Sequence, residues 1–172
     1  MPPLSVLTLP DYSRARKLVR ELLDEFGFSE PPVNPIEVAK GRGIDVRFVA
    51  FSGEFRDRIS GFYDSDDNRI YVNSEEWPLR QTFTIAHELG HALLHREWAQ
   101  SSEYKMMLRD QFADSSDPYE KEANFFAAHL LVPRKMLDKY VDILDIRQLS
   151  RLFAVSVGVI RWRIANEYGD RA

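Results

Sequence analysis

The sequence predicts an α+β domain in which helices surround a small antiparallel or mixed sheet. Segments with helical periodicity occupy both ends of the chain, whereas segments rich in β-branched and aromatic residues are confined to residues 44–73. The chain has 172 residues, of which 44% are hydrophobic and 29% charged, so it is long enough and apolar enough to bury one core.

The composition excludes several classes of protein. The net charge of −4 provides no broad positive field that would draw the chain onto nucleic acid or acidic lipid. The absence of cysteine excludes disulfides, cysteine-type zinc fingers, iron–sulfur clusters and a thiol nucleophile. The first residues lack the pattern of a signal peptide, and no apolar run approaches the length of a membrane span. We therefore expect a cytoplasmic protein without membrane contact.

Two helices are predicted ahead of the strands. Residues 13–26 carry leucines at helical spacing, and Gly27 follows as a stop signal. Asn34 before Pro35 is typical of a helix start, because the asparagine side chain caps the first turn and proline suits the first helical position. This second helix is expected to end at Gly41.

Three strands are predicted, over residues 44–51, 59–64 and 68–73. The polar residues 65–67 favour a hairpin between the last two strands. Residues 59–64 could lie at a sheet edge and pair with the backbone of a bound substrate.

Helical periodicity then returns in two main segments. A long central helix is predicted from residue 77 or 78 to about residue 96, and a second apolar helix from residue 118 to residue 131, closed by Pro133. The polar stretch between them, residues 97–117, is too long for a bare connector and is interpreted as a lid.

The predicted long helix contains the pattern His-Glu-x-x-His at His87, Glu88 and His91. Residues four apart lie on one helical face, about 6 Å apart along the axis, so both imidazoles can reach one zinc ion. Glu88 lies roughly 100° around the helix from His87, which is the position of a general base. The competing interpretation is that the two histidines and Glu88 are solvated polar side chains on the helix surface. A catalytic zinc site would also need a third protein ligand.

Several side chains could supply that third ligand. His95 would stand about 12 Å along a continuous helix from His87, so we expect it at the surface or at a second site. On the second helix Glu120 is preferred, because Asn124 lies one turn later and can orient an imidazole that binds the metal. Glu122 is the alternative. It lies about 200° around the helix from Glu120, so only one of the two can face the metal and the other is expected to be solvated.

With this spacing the chain resembles the ImmA/IrrE family of metallopeptidases. The family pattern R-x-x-F-T-x-A-H-E-L-G-H is matched by residues 80–91, and the pattern E-x-E-A-N-x-F-A-A-x-L-L-x-P is matched by residues 120–133. The agreement is close over residues 59–133 and looser over the two N-terminal helices. His129 and Val132 are departures, and neither stands at a proposed metal position.

The resemblance implies a zincin-like fold, similar to that of the gluzincins, with zinc held by His87, His91 and Glu120. Known members of the family cleave repressor-type transcription regulators inside bacteria. The resemblance therefore implies a regulated cytoplasmic endopeptidase whose protein partner is a helix-turn-helix repressor or an antitoxin.

A zinc endopeptidase would use Glu88 as the base that accepts a proton from the attacking water and passes it to the leaving amine. Such enzymes commonly have a further donor for the developing oxyanion. The sequence does not distinguish among four candidates for this donor: Tyr104, Tyr119, His95 and His129.

The C-terminal residues 133–172 are predicted to be helical and to pack on a core formed by residues 1–132. Residues 149–164 also match a helix-turn-helix pattern, which would place Arg161 and Arg163 on the helix that contacts phosphates or bases. We favour packing on the core, because the chain has no broad basic face.

Three functions thus remain open. The preferred one is a zinc endopeptidase that cleaves a regulator. The alternatives are a DNA-binding regulator with a vestigial metal site and an interaction module such as a toxin neutralised by an antitoxin. Direct nucleic-acid binding is not expected, and the sequence does not indicate the oligomeric state.

Overall fold

The computed structural model describes residues 9–55, 59–102, 104 and 117–169. Most of the predicted lid falls outside these residues, so its closing role stays a prediction. Within the described part of the chain, no helix is long and apolar enough to cross a membrane.

The predicted α+β class is confirmed, since the described residues form eight α-helices and a three-stranded sheet. The elements in chain order are α1 (Tyr12–Glu25), α2 (Pro35–Gly41), β1 (Asp45–Val49), β2 (Gly61–Asp64), β3 (Arg69–Asn73), α3 (Pro78–Leu94), α4 (Arg96–Ala99), α5 (Pro118–Leu131), α6 (Arg134–Tyr140), α7 (Ile146–Phe153) and α8 (Val157–Tyr168).

The sheet is mixed, with the strand order β1-β3-β2. The hairpin predicted from the sequence joins β2 to β3 in antiparallel pairing, and β1 lies parallel to β3 on the other side. An ion pair between Asp45 and Arg69, 3.1 Å apart, holds the first residues of β1 and β3 in register. This order leaves β2 at one edge of the sheet, as expected.

Capping side chains fix where several of the helices begin, and α2 and α5 are examples. The side chain of Asn34 accepts a hydrogen bond of 3.0 Å from the backbone N–H of Ile36, so the predicted start of α2 is confirmed. Asp117 caps α5 in the same way and accepts from the backbone N–H of Tyr119 at 2.8 Å. The Asp117 cap sets the first turn of α5, which carries Glu120.

The most extensive helix–helix contact among the described residues is between α3 and α5, and it depends on a glycine. A Cβ atom at Gly90 of α3 would stand 3.0 Å from the ring of Phe126 and 3.3 Å from the Cα of Ala123 on α5. Both neighbours are fully buried, so they have little room to move away. The missing side chain at residue 90 therefore lets the two helix backbones approach.

Strand β2 also needs a glycine, at Gly61. A Cβ atom there would collide with the backbone oxygen of Tyr71 on β3 and with the side chain of Thr84 on α3. Strand β2 can thus lie directly against the helix that carries the His-Glu-x-x-His pattern.

The C-terminal helices are tied to α5 through Arg163, whose side chain is fully buried. Its Nε donates to the backbone oxygen of Val132 at 2.9 Å, and its Nη1 donates to Glu167 at 2.8 Å and to His129 at 3.0 Å. Burial and the adjacent guanidinium lower the pKa of His129 to about 3, so this imidazole is a neutral acceptor. The division at residue 133 into core and C-terminal segment stays a prediction.

The alternative interpretation, in which Arg163 contacts nucleic-acid phosphates, does not fit the structure. A side chain with no exposed surface cannot reach a phosphate, and Arg163 faces the protein interior because α8 packs against α5. The adjacent Trp162 is partly exposed and makes edge contacts with the rings of Phe125 and His129, which is consistent with packing on the core.

Replacing Glu167 with glutamine is expected to lower the free energy of unfolding by about 3 kcal/mol, because it leaves the buried Arg163 without its charged partner. Urea unfolding followed by circular dichroism measures the change. Glu21→Gln is the matched control, since Glu21 pairs with Lys17 on an exposed face and its replacement should cost less than about 0.5 kcal/mol. Equal stabilities of the two variants would show that the buried pair contributes nothing.

Candidate metal centre

Helices α3 and α5 bring His87, His91 and Glu120 together, with their ligand atoms within 4.8 Å of one another. The Nε2 atoms of the two histidines are 3.1 Å apart. One oxygen of Glu120 lies 2.9 Å from His91 Nε2, and the other lies 3.2 Å from His87 Nε2. The preferred carboxylate, Glu120, therefore lies beside both imidazoles.

His87 is oriented by the helix that carries Glu120. Its Nδ1 lies 2.8 Å from the amide oxygen of Asn124, one turn after Glu120 on α5. The amide oxygen can only accept, so Nδ1 carries the proton and the Nε2 lone pair faces Glu120 and His91 when the ring is neutral. This is the partnership that the spacing of Glu120 and Asn124 predicts.

Glu88 lies beside this cluster and is held by a tyrosine. The residue is 6% exposed, and one oxygen of its carboxylate accepts a hydrogen bond of 3.3 Å from the hydroxyl of Tyr104. The same hydroxyl accepts the backbone N–H of Tyr63 at 2.9 Å, so strand β2 helps to fix Tyr104. His87 Nε2 lies 4.0 Å from the other Glu88 oxygen, which leaves Glu88 adjacent to the cluster.

The pKa values of these groups follow from burial and from their mutual charges. Burial raises the pKa of Glu88 to about 7 and lowers the pKa of His91 to about 4. Burial also opposes the charge of His87, but the Glu120 carboxylate outweighs it and raises the His87 pKa to about 9. The two imidazoles in turn hold the pKa of Glu120 well below its usual range. At neutral pH and without metal, the His87 ring is therefore protonated on both nitrogens, whereas the His91 ring is neutral.

The expected surface position of His95 and the expected solvation of Glu122 are wrong. Both residues are buried, with 4% and 1% of their surface exposed, and they contact each other through His95 Nε2 and a Glu122 oxygen at 2.5 Å. Helix α3 ends at Leu94, and His95 leaves the helical path with φ −127° and ψ 32°. The His95 ring then lies behind the ring of His91.

Burial of Glu122 has a separate cause, which is the position of α5 between α1 and α3. Glu122 lies on the part of the helix that these neighbours cover, whereas Lys121 and Asn124 on the same helix stay exposed. The sequence carried a signal for this, because apolar residues occur on every face of α5.

None of the four candidate oxyanion donors lines the cleft beside Glu88. Tyr104 is engaged with Glu88, and His95 lies behind His91. Tyr119 stacks on the ring of Trp98, with centroids 4.3 Å apart, and His129 belongs to the Arg163 network. The structure gives no support to any of them as an oxyanion donor.

An open cleft of about 620 Å³ leads to His87 and Glu88. Gly61 of the edge strand β2 forms part of one wall, and Ser156 at the start of α8 forms part of another. The exposed Trp77 lies at the beginning of α3 in the same cleft. The sequence patterns did not indicate that the C-terminal helices contribute to this wall. They were expected only to pack on the core.

The chemistry of the donor set fits a zinc ion. Two imidazole nitrogens and one carboxylate are the ligands of many catalytic zinc sites, which keep a further coordination position open toward solvent. In this chain the Nε2 atoms of His87 and His91 and the carboxylate of Glu120 converge beside an open cleft, as such a site requires.

Comparison with known proteins gives a consistent group of relatives. The family model for the IrrE N-terminal-like domain, a peptidase family, matches residues 39–165. An "Uncharacterized immunity region protein 2" of Bacillus phage phi105 is 34% identical over 131 residues, which are 75% of each chain.

Two Deinococcus proteins called "Radiation response metalloprotease IrrE" are also similar. The protein of Deinococcus radiodurans is 29% identical over 150 residues, and that of Deinococcus deserti 31% identical over 134 residues. The matches cover 81% and 72% of this chain but only 41% and 42% of the two relatives, so the chain spans less than half of their length.

Among solved structures, a Mycobacterium tuberculosis transcriptional regulator has a similar fold, with a TM-score of 0.65 over 89% of this chain and 46% of that chain. The sequence identity of 19% limits this likeness to the fold.

Metal binding is expected to release about one proton at neutral pH, because His87 must lose its proton before Nε2 can bind a metal. Since the His87 pKa is about 9, the apparent affinity for Zn²⁺ should rise about tenfold per pH unit from about pH 6 to pH 8 and level off above about pH 9. Calorimetry in buffers of different ionisation enthalpy counts the protons. Affinity that is independent of pH over this range would contradict the expectation.

Gly90→Ala is expected to weaken zinc binding, because the added Cβ pushes α3 away from α5 and separates the histidines from Glu120. Overpacking should also cost about 1–3 kcal/mol of stability, more than the helix propensity that alanine adds. Gly158→Ala in α8 is the matched control, since its Cβ would make only an ordinary contact with Ser156. Zinc competition assays and urea unfolding on both variants measure the effects, and unchanged zinc affinity in Gly90→Ala would refute the spacing argument.

Proposed function

This chain belongs to the ImmA/IrrE family of metallopeptidases, and on that premise we propose that it is a zinc-dependent endopeptidase. Its proposed substrate is a repressor-type transcription regulator, either a helix-turn-helix repressor or an antitoxin. A substrate of this class would place the reaction in the cytoplasm. One relative is named for a phage immunity region and two for a radiation response, and these names are in keeping with a regulatory role.

The observation that carries the proposal is the convergence of two imidazoles, one carboxylate and a separate buried carboxylate at an open cleft. A structural cluster would have no need of Glu88, which contacts the edge of the cluster and lines the cleft. A pKa of about 7 suits a group that must both accept and release a proton near neutral pH.

His87, His91 and Glu120 would hold the ion, and zinc at this position would supply a Lewis acid that polarises water and the scissile carbonyl. Glu88 would accept the proton of the attacking water and deliver it to the leaving amine. Tyr104 would keep the Glu88 carboxylate in place through its hydroxyl, which strand β2 in turn positions.

We further propose that the substrate backbone pairs with β2. The strand order leaves this strand at the sheet edge, and Gly61 brings it close to α3 and into the wall of the cleft. Pairing of this kind holds an extended peptide through main-chain hydrogen bonds and makes little demand on its side chains.

The two alternative functions have less support. A DNA-binding regulator would use Arg161 and Arg163 of the helix-turn-helix pattern, and of these Arg161 is exposed but Arg163 is buried. An interaction module would have no need of a base beside the metal ligands. The zinc content and the cleavage activity of a Glu88 variant separate both alternatives from the proposed peptidase.

Glu88→Gln is expected to lower cleavage by about 10²- to 10⁴-fold while the metal content stays near one zinc per chain, because Glu88 acts on the proton and is no ligand. Intact-mass spectrometry of a helix-turn-helix repressor incubated with the protein measures cleavage, and elemental analysis measures zinc. His87→Ala is the contrasting variant, which should lose both.

Three outcomes would overturn the proposal. Wild-type protein that takes up no zinc would indicate a vestigial site. Tight binding of the repressor without cleavage would indicate an interaction module. Salt-dependent duplex binding that survives Glu88→Gln would indicate a DNA-binding regulator.

A further inference from the structure

A continuous line of contacts runs from His91 away from the cleft to Asp11, the residue that precedes α1. His91 Nδ1 lies 3.0 Å from His95 Nδ1, and His95 Nε2 lies 2.5 Å from one oxygen of Glu122. The other Glu122 oxygen accepts the backbone N–H of Asp11 at 2.5 Å, and Asp11 is the N-cap of α1.

Only one placement of protons makes this line compatible with a metal at His91 Nε2. The metal needs a lone pair on Nε2, so the single proton of the neutral ring is on Nδ1 and is donated to His95. His95 Nδ1 must then be an acceptor, and its own proton is on Nε2. An ionised Glu122 can only accept, so it receives this proton with one oxygen and the Asp11 N–H with the other.

The surroundings favour this arrangement, because they exclude water and support the negative charge of Glu122. Trp98, Tyr104 and Tyr119 pack around the two histidine rings, with centroid distances of 5.0–5.9 Å to the nearer ring. The N-terminus of the 14-residue α1 provides the positive end of a helix dipole beside the Glu122 carboxylate. Hydrogen bonds in such a dry environment are stronger than in water.

A carboxylate commonly orients a histidine that binds a metal, through the ring nitrogen that the metal does not use. Here the carboxylate acts through a second histidine. We propose that His95 and Glu122 are positioning residues of the metal centre, which fix the tautomer and ring orientation of His91 so that its Nε2 faces His87 and Glu120. This inference rests on the proposed metal site and assigns a role to two residues that touch neither the metal nor the substrate.

The test measures the affinity of the chain for Zn²⁺ and the absorption spectrum of the Co²⁺-loaded protein. His95→Phe keeps a ring but offers no acceptor, so zinc affinity should fall ~10- to 100-fold and the Co²⁺ bands should shift. His95→Asn is the rescue variant, because its amide oxygen can take the place of Nδ1 as acceptor. It should recover most of the lost affinity although it does not reach Glu122.

Glu122→Gln gives an independent measurement with almost no change in shape. The Asp11 N–H needs the amide oxygen as its acceptor, so the amide NH₂ is turned toward His95 Nε2 and donates to it. The His95 proton then moves to Nδ1 and the His91 proton to Nε2, where it opposes the metal. Zinc affinity should fall about tenfold in a folded protein.

His129→Phe is the matched control, because His129 is also buried but belongs to the Arg163 network. It should lower stability and leave zinc affinity and the Co²⁺ spectrum unchanged. If His95→Phe and Glu122→Gln both keep the wild-type Zn²⁺ affinity and Co²⁺ spectrum, the two residues serve only in packing. That result would overturn this inference and leave the proposed function standing. Wild-type protein that binds neither Zn²⁺ nor Co²⁺ would instead overturn the proposed function, and the inference with it.

Discussion

The close approach of α3 and α5 is the constraint on which the rest of the structure depends. The two helices carry different parts of the candidate site, and neither could assemble it alone. Their separation is set by Gly90, where the absence of a side chain admits the ring of Phe126. Strand β2 packs on α3 and α1 packs on α5, so the sheet and the N-terminal helix are both arranged around this contact.

Among the described residues, three buried carboxylate or guanidinium side chains occur around the helix pair, and each is stabilised differently. Glu88 has a tyrosine hydroxyl and a raised pKa, which suits a group that exchanges a proton. Glu122 has a histidine and a backbone N–H, which hold it in one orientation. Arg163 has a carboxylate and a backbone oxygen, which join the C-terminal helices to α5. An unpaired charge at any of these positions would be costly, so the partners are part of the fold as well as of the site.

Local signals predicted the elements of this fold well, whereas tertiary contacts decided what they missed. The start of α2 and the β2–β3 hairpin follow from residues adjacent in sequence, and the structure has both. The end of α3 has no glycine or proline, so the sequence did not reveal that His95 turns inward. Likewise the burial of Glu122 results from α1 packing on α5, which is a contact between residues more than a hundred positions apart. The pairing of Glu120 with the two histidines was predictable, because it follows from a motif on each helix.

The contact between Asp11 and Glu122 bears on where a self-sufficient fragment of this protein could begin. The family model matches from residue 39, which would suggest a cut after α1. Such a cut would remove the N–H that binds a fully buried carboxylate. It would also uncover the side of α5 against which α1 packs. The smallest cooperative folding unit is therefore larger than the segment by which the family is recognised, and α1 belongs to it. Proteolytic removal of α1 would therefore expose buried parts of the domain, including the Glu122 carboxylate.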